Sequence, residues 1–501
     1  MLTSVLSRLA PRLSARTVAL SAAATAAATA TAAASMSAAP VPPTILPGDL
    51  LVKEHILKVP LDHSVPDGPQ LELFVRELVL ASKADDASSL PCLLYLQGGP
   101  GFPSGRPTCP PGGWQKAALA DHRVLLLDQR GTGRSSPVTT QSLLLVGSPQ
   151  QQADYLSHFR ADSIVKDCEM VRHELAGGKK LTLLGQSFGG FCILSYLSYA
   201  PEAIERALFT CGLAPVGQSA DAVYTATYKR MEERNRRFYE RYPQDVELIR
   251  SITRALHDAP VALPRGGTLT ARRFLQLGLL LGSASGFESL HDLLELARAP
   301  LPPAAVDGTL PEHFLLAVEA AQDAFETNPI YWLLHEAIYC DGPAGTSGPE
   351  GGASKWSAER VQKEMGPAWD YTTRLDEGGQ PIMLSGEMVY SWMGDDYAWL
   401  RPLKPCAELL AAKADWPKLY DQEALGSRRC PPVACLVSYE DIYVERAFSE
   451  ATAAMLGREG GRGLAKLWVT NEFQHSGLRD QPETVFKRLM AMSKGEVAIP
   501  S

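Results

Sequence analysis

Leu181-Thr182-Leu183-Leu184-Gly185-Gln186-Ser187-Phe188-Gly189 decides the fold of this chain. A short apolar run, which reads as a buried strand, feeds straight into a G-x-S-x-G turn, and helix-forming residues follow. A turn that sharp forces its central residue into a strained backbone conformation. Side chains at the flanks would clash where strand and helix close on one another, so Gly185 and Gly189 bracket Ser187. The setting predicts a serine hydroxyl exposed at the end of a strand.

Further short apolar runs lie at Cys92–Leu96, Val124–Leu127, Ala207–Phe209, Val433–Val437 and Leu464–Val469. Runs of this kind belong to strands buried on both faces, hence to a mostly parallel sheet with helices on both faces. Ile164–Leu175 has helical spacing and leads into the strand before Ser187. Leu71–Leu80 partly alternates and reads as an antiparallel edge strand. From about Val216 to Asp421 helical pattern dominates, beginning with the charge-rich Tyr224–Tyr242. The expectation is an α/β domain in two parts, 49–215 and 426–501, interrupted by a helical cap over 216–425. Within the cap, Gly342–Ser354 reads as a surface loop. Lys229, Arg230, Arg234, Arg236 and Arg237 are interleaved with Glu232 and Glu233 and read as a solvated helix face.

At 501 residues, 45% hydrophobic and 21% charged, the chain suits a large globular domain with an insertion. A formal net charge of −8 argues against a nucleic-acid partner. The nine cysteines are scattered and form no C-x-x-C pair, which fits reduced thiols in an intracellular compartment and no zinc site. Residues 1–48 differ from the rest: Arg8, Arg12 and Arg16, no acidic residue, and a long Ala/Thr/Ser tract before the proline-rich hinge Pro40–Pro47. Such a leader resembles an organellar transit peptide for chloroplast or mitochondrion. A low-complexity tail on a cytoplasmic protein is the alternative, and Met36 offers an internal start. Ala and Thr are too weakly apolar for a membrane span.

A serine hydroxyl is a poor nucleophile until a base takes its proton, and the base needs an orienting carboxylate. In this architecture the order along the chain is serine, acid, histidine. Asp441 follows the run Val433–Val437, and His475 follows Leu464–Val469, both at strand carboxyl ends where catalytic groups gather. Of the ten histidines, His313 and His335 sit in the helical block and suit the role less well. Glu440 competes with Asp441 for the imidazole. For the carbonyl oxyanion, donors are expected from the Phe188 N–H and from Gly98 and Gly99, in Gln97-Gly98-Gly99-Pro100-Gly101 after the strand Cys92–Leu96.

The segments LLYLQGGPG, LLLDQRGTGRS (Leu125–Ser135) and GQSFGG (Gly185–Gly190), with the late Asp and His, resemble the proline iminopeptidases, serine peptidases of the α/β-hydrolase fold. The similarity runs from about Leu51 to Met490. Gln97 stands where His often precedes Gly-Gly-Pro-Gly, and the Asp441 turn reads Ser-Tyr-Glu-Asp; both features resemble a longer subgroup of that family. The resemblance implies Asp441 over Glu440, and a peptide substrate with a free N-terminal proline. It also implies cap carboxylates for the substrate amine, at Glu336 and Glu387, with Tyr390 nearby. A protonated pyrrolidine nitrogen has two N–H donors and one charge, which two carboxylates satisfy. Tyr331, Trp332, Trp392 and Phe287 are candidates to wall the ring pocket. No cofactor, metal or membrane partner is implied. The rivals are a broader aminopeptidase or esterase of the same fold, and a catalytically silent binding module.

Overall fold

The computed structural model describes residues 41–300, 309–343, 352–460 and 465–497. The leader up to residue 40, with its arginines and Met36, lies outside the described residues, as do 344–351 of the Gly342–Ser354 loop.

Among the described residues, nine strands form one sheet. They are β1 (Thr44–Leu46), β2 (Leu50–Pro60), β3 (Gln70–Leu80), β4 (Cys92–Leu96), β5 (Arg123–Leu127), β6 (Leu181–Gln186), β7 (Ile204–Thr210), β10 (Val433–Ser438) and β11 (Ala465–Thr470). Their order is β1-β2-β3-β5-β4-β6-β7-β10-β11. The pairs from β5 onward are parallel, whereas β1, β2 and β3 run antiparallel. This is the mostly parallel sheet expected from the apolar runs, and it agrees with the α/β-hydrolase fold that the resemblance implies.

Period-two geometry sends neighbouring strand residues to opposite faces. In β4, Cys92, Leu94 and Leu96 join a core with the Ala161–Ala176 and Phe188–Tyr199 helices. Leu93 and Tyr95 face the Gly113–Leu119 and Pro482–Lys494 helices. Both faces are therefore covered, which is why the strands read as unbroken apolar runs.

Two sequence expectations are corrected. β3 is not an edge strand, because it pairs with β2 on one side and β5 on the other. Its polar residues do not mark a solvated face: Arg76 is buried on Glu54 of β2, and Glu77 is buried on His55 and Arg123 of the neighbouring strands. The folded unit also begins before residue 49, since Thr44–Ser501 is one compact unit. β1 pairs with β2 across a turn with positive φ at Gly48 (83°) and Asp49 (62°), values that glycine and aspartate tolerate best.

Between β7 and β10 the chain is mainly helical. Its longest helices are Ala220–Arg241 and Gln244–Asp258. A small unforeseen hairpin, β8 (Val261–Ala262) with β9 (Thr268–Leu269), interrupts it. Tyr224, Phe238, Phe314 and Tyr397 of this segment share one apolar core with the sheet face that carries the Phe188–Tyr199 helix. No described helix is long and apolar enough to cross a membrane.

Candidate active site

Ser187 stands between β6 and the Phe188–Tyr199 helix with φ 53° and ψ −125°. A non-glycine residue there carries about 1–3 kcal/mol of strain, held only because its surroundings over-determine it. They do. A Cβ on Gly185 would lie 2.6 Å from the Gly189 carbonyl, and one on Gly189 would overlap the Leu96 carbonyl of β4. The Ser187 N–H donates to the Thr210 carbonyl at 3.0 Å, which ties the turn to β7.

The candidate acid and base lie beyond β7, after β10 and β11, the last two strands of the sheet. Asp441 lies in the loop after β10, 1% exposed, and His475 in the loop after β11, 4% exposed. His475 Nδ1 is 2.8 Å from Asp441 Oδ2. A carboxylate only accepts, so Nδ1 carries the proton and Nε2 is left as the acceptor. Asp441 Oδ1 is held in turn by the N–H groups of Tyr443 (2.8 Å) and Val444 (3.1 Å). The base's backbone is anchored at two points: its N–H donates to the Gly282 carbonyl at 3.1 Å, and Gln186, next to the nucleophile, donates to its carbonyl at 3.1 Å. Ser187 Oγ makes no hydrogen bond within the described protein, and such catalytic bonds often tighten only when substrate is in place.

Glu440, the rival acid, is turned away and pairs with Arg237. Cys211 Sγ lies within 4.8 Å of the ligand atoms of Asp441 and His475. Burial pushes its thiol up to about 12, so it is a neutral S–H and not a competing nucleophile. His335 and His313 are not brought to the triad: His335 is buried against Tyr331 with ring centroids 5.0 Å apart, and His313 is exposed.

A Cβ on Gly98 would come within 2.8 Å of Ser187 Cβ, so the loop after β4 lies directly on the nucleophile. Among the described residues, the N–H groups of Gly98, Gly99 and Phe188 donate to no protein acceptor. The Asp128–Ser135 turn braces this loop. Asp128 accepts from the N–H groups of Ser104 and Arg134, each at 3.0 Å, and Gln129 Nε2 donates to the Gln97 carbonyl at 3.0 Å. Arg130 anchors the turn itself through Asp167, at 2.7 and 2.6 Å.

The two cap glutamates differ in their surroundings. Tyr331 donates to Glu387 Oε1 at 2.6 Å, which leaves Oε2 without a protein donor among the described residues. Desolvation pushes the Glu387 carboxyl up to about 7, against the opposing pull of His475. Glu387 keeps some solvent access. Glu336 has both oxygens occupied, by the N–H groups of Ser357 (3.0 Å) and Ala358 (2.9 Å) at the start of the Ser357–Glu364 helix. Burial pushes it also to about 7. No hydrogen bond joins the two carboxylates; Tyr224 and Tyr339 feel the charge of both.

Tyr390 does not reach Glu387 by hydrogen bonding: its hydroxyl meets Tyr228 at 3.0 Å. Of the candidate wall aromatics, Tyr331 is beside the site, its ring 5.3 Å from Phe102 of the Gly-Pro-Gly loop. Trp332 stacks on Trp356, Trp392 on Tyr390, and Phe287 under Arg234.

A family model described as alpha/beta hydrolase fold matches residues 91–295. A proline iminopeptidase of Aeromonas sobria is 45% identical over 441 residues, 88% of this chain and 96% of that protein. Proline iminopeptidase aneH of Aspergillus aculeatus is 34% identical over 462 residues, 90% of this chain and 95% of that protein. A shorter match, 35% over 101 residues, joins 20% of this chain to 30% of a proline iminopeptidase of Lactobacillus delbrueckii subsp. bulgaricus. With near-complete coverage at these identities, the chain belongs to the proline iminopeptidase family of the α/β-hydrolase fold.

Proposed function

We propose that this protein is a serine aminopeptidase that releases N-terminal proline from peptides through an acyl-enzyme. Ser187 Oγ attacks the carbonyl of the N-terminal residue while His475 Nε2 takes its proton. Asp441 holds the imidazole in that tautomer and stabilises the imidazolium that forms. The N–H groups of Phe188, Gly98 and Gly99 receive the oxyanion, and each such donor is worth about 3–4 kcal/mol in the transition state. His475 then protonates the departing peptide amine. Water, activated by the same imidazole, releases proline from Ser187. No step needs a metal or organic cofactor.

The reading of substrate class rests on one observation: a desolvated carboxylate, Glu387, held by Tyr331 in the field of His475 with one oxygen open. A pyrrolidinium nitrogen placed there neutralises the carboxylate, and its ring faces Tyr331. Glu336 supplies a second negative charge behind Tyr224 and Tyr339 rather than a naked acceptor. Tyr390 supports the wall from outside through Tyr228 and Trp392. The helical segment 216–425 serves as a cap. The Arg-bearing leader is an organellar address, and imaging of the full chain fused at its carboxyl end checks it.

Anilides of Pro, Ala and Leu, with N-acetyl-Pro-anilide as control, test the assignment. Preference for Pro and rejection of the blocked substrate are expected. Equal cleavage of blocked and free substrates favours an esterase-like hydrolase, and failure of fluorophosphonate to label Ser187 favours a silent module.

A further inference from the structure

The Ala220–Arg241 helix carries Arg230, Arg234 and Arg237 at intervals of four and three residues, hence on one face. The interleaving of these arginines with Glu232 and Glu233 predicts a solvated face. In the structure that face meets the loop that carries Asp441 directly, and reaches the loop that carries His475 indirectly, through Leu281 and Gly282.

Arg230 grips Glu445 with both arms of its guanidinium, at 2.6 and 2.7 Å. Arg237 pairs with Glu440. Glu440 and Glu445 bracket Asp441 on the loop after β10, so both shoulders of the acid are tied to one helix. Arg234 turns to the Gln276–Gly282 segment of the helical insert, on which the His475 loop rests. It donates to the Leu281 carbonyl at 2.9 Å and lies over the Phe287 ring at 4.0 Å. The next residue, Gly282, receives the backbone N–H of His475 at 3.1 Å. Tyr443 closes the circuit: its hydroxyl donates to the Leu279 carbonyl, and its ring lies 4.8 Å from the His475 imidazole. Exposed ion pairs contribute little, but the Glu445 side chain is only 8% exposed and its pair is bidentate. Arg236, on the same helix, spends its charge on Glu233 and Glu240 of its own helix and touches neither loop.

We propose that Arg230, Arg234 and Arg237 form a positioning strip that sets the acid loop and the base loop against each other and against Ser187. None of the three touches a reacting atom. The inference rests on the Ser187–His475–Asp441 reading above. A misplacement of one ångström can cost about 100-fold in rate, so partial loosening of one loop is expected to cost roughly tenfold.

The test compares R230Q, R237Q, E440Q, the R237Q/E440Q pair, R230K and R236Q in the full chain. It reads kcat and KM on Pro-anilide, the rate of fluorophosphonate labelling of Ser187, and the thermal midpoint. Expected are parallel roughly tenfold losses in kcat and labelling rate for R230Q, R237Q and E440Q, with KM nearly unchanged, since the defect lies in the relay and not in amine binding. R237Q/E440Q loses no more than either single change. R230K recovers part of the loss, because an ammonium cannot fill a bidentate fork. R236Q behaves as wild type. Wild-type kcat and labelling in folded R237Q and E440Q, or an equal loss in R236Q, overturns the proposal. Should R230Q not fold, the half-exposed Arg237–Glu440 pair still decides the matter. D441N separates the two readings: if it is inactive while the strip variants are unaffected, only the strip fails, and if it is fully active, the triad reading fails first.

Discussion

Replacing Glu387 by Gln removes a charge and almost nothing else, so its effects are calculable. In the free protein, desolvation holds this carboxyl at about 7, raised from an ordinary 4.5. A displacement of that size corresponds to about 3 kcal/mol against the charged form, an upper bound because solvent reaches the half-buried side chain. A substrate ammonium beside it favours ionisation, so binding below neutral pH expels a proton. On Pro-anilide, kcat/KM should therefore fall on the acid side through two requirements, an ionised Glu387 and a neutral imidazole. E387Q should lose the first. Hydrogen bonds to charged groups contribute about 1.5–3 kcal/mol, so E387Q should lose about 10- to 150-fold in kcat/KM at pH 8.

Stability should move the other way. A folded-state pKa raised above the unfolded value gives stability that is full below about 4.5 and is lost as pH rises through about 7. E387Q escapes that loss. Denaturant unfolding should find it up to about 3 kcal/mol more stable than wild type at pH 8, less whatever charge assistance the Tyr331 bond forfeits, and no more stable near pH 4. Activity within threefold of wild type at pH 8, or an unchanged acid limb, refutes the placement of the substrate amine on Glu387. Equal stability increments at the two pH values refute the desolvated carboxylate.

Asp441→Asn leaves the loop geometry but offers an amide N–H to Nδ1, which selects the wrong tautomer; kcat should drop about 10⁴-fold, far more than for Glu440→Gln. Tyr331→Phe removes the donor to Glu387 Oε1, so the acid limb of kcat/KM should shift to higher pH with a loss of about 5- to 10-fold at pH 7, measured on Pro-anilide. Gly189→Ala forces a methyl into the Leu96 carbonyl of β4, and soluble folded protein should fall sharply by size-exclusion and circular dichroism.

The readings that held were carried by local pattern. β4 to β7 announce themselves because a strand covered on both faces needs apolar residues without interruption, and the turn at Ser187 needs Gly185 and Gly189 for a clash that is local to the pentapeptide. Strand ends also offer Asp441 and His475 as candidates, and the two side chains meet at 2.8 Å. Where long-range partners decide, the chain is mute. Asp441 and Glu440 are neighbours of equal chemistry, and what separates them is Arg237, contributed by a helix that precedes them by 203 residues. β3 reads as an edge because Glu72 and Arg76 alternate with Leu71, Leu73 and Val75, yet Arg76 is buried and its partner, Glu54, lies on β2.

The cap shows the same division in sharper form. Glu336 and Glu387 are indistinguishable as letters, since each lies in a short run of mixed polarity. The structure differentiates them by what occupies their oxygens: two backbone donors of a helix start on Glu336, one phenol on Glu387. Both carboxyls are raised by burial, but Glu336 has its acceptors filled by backbone dipoles, whereas Glu387 keeps one acceptor open for the proposed substrate amine. That asymmetry is set by the path of residues 352–358 against 330–339, segments brought together by apolar packing around Trp332 and Trp356. On the proposed reading, specificity depends on packing in the insert, while acyl transfer depends on short motifs in the sheet. A sequence reader recovers the second from spacing alone and meets the first only in three dimensions.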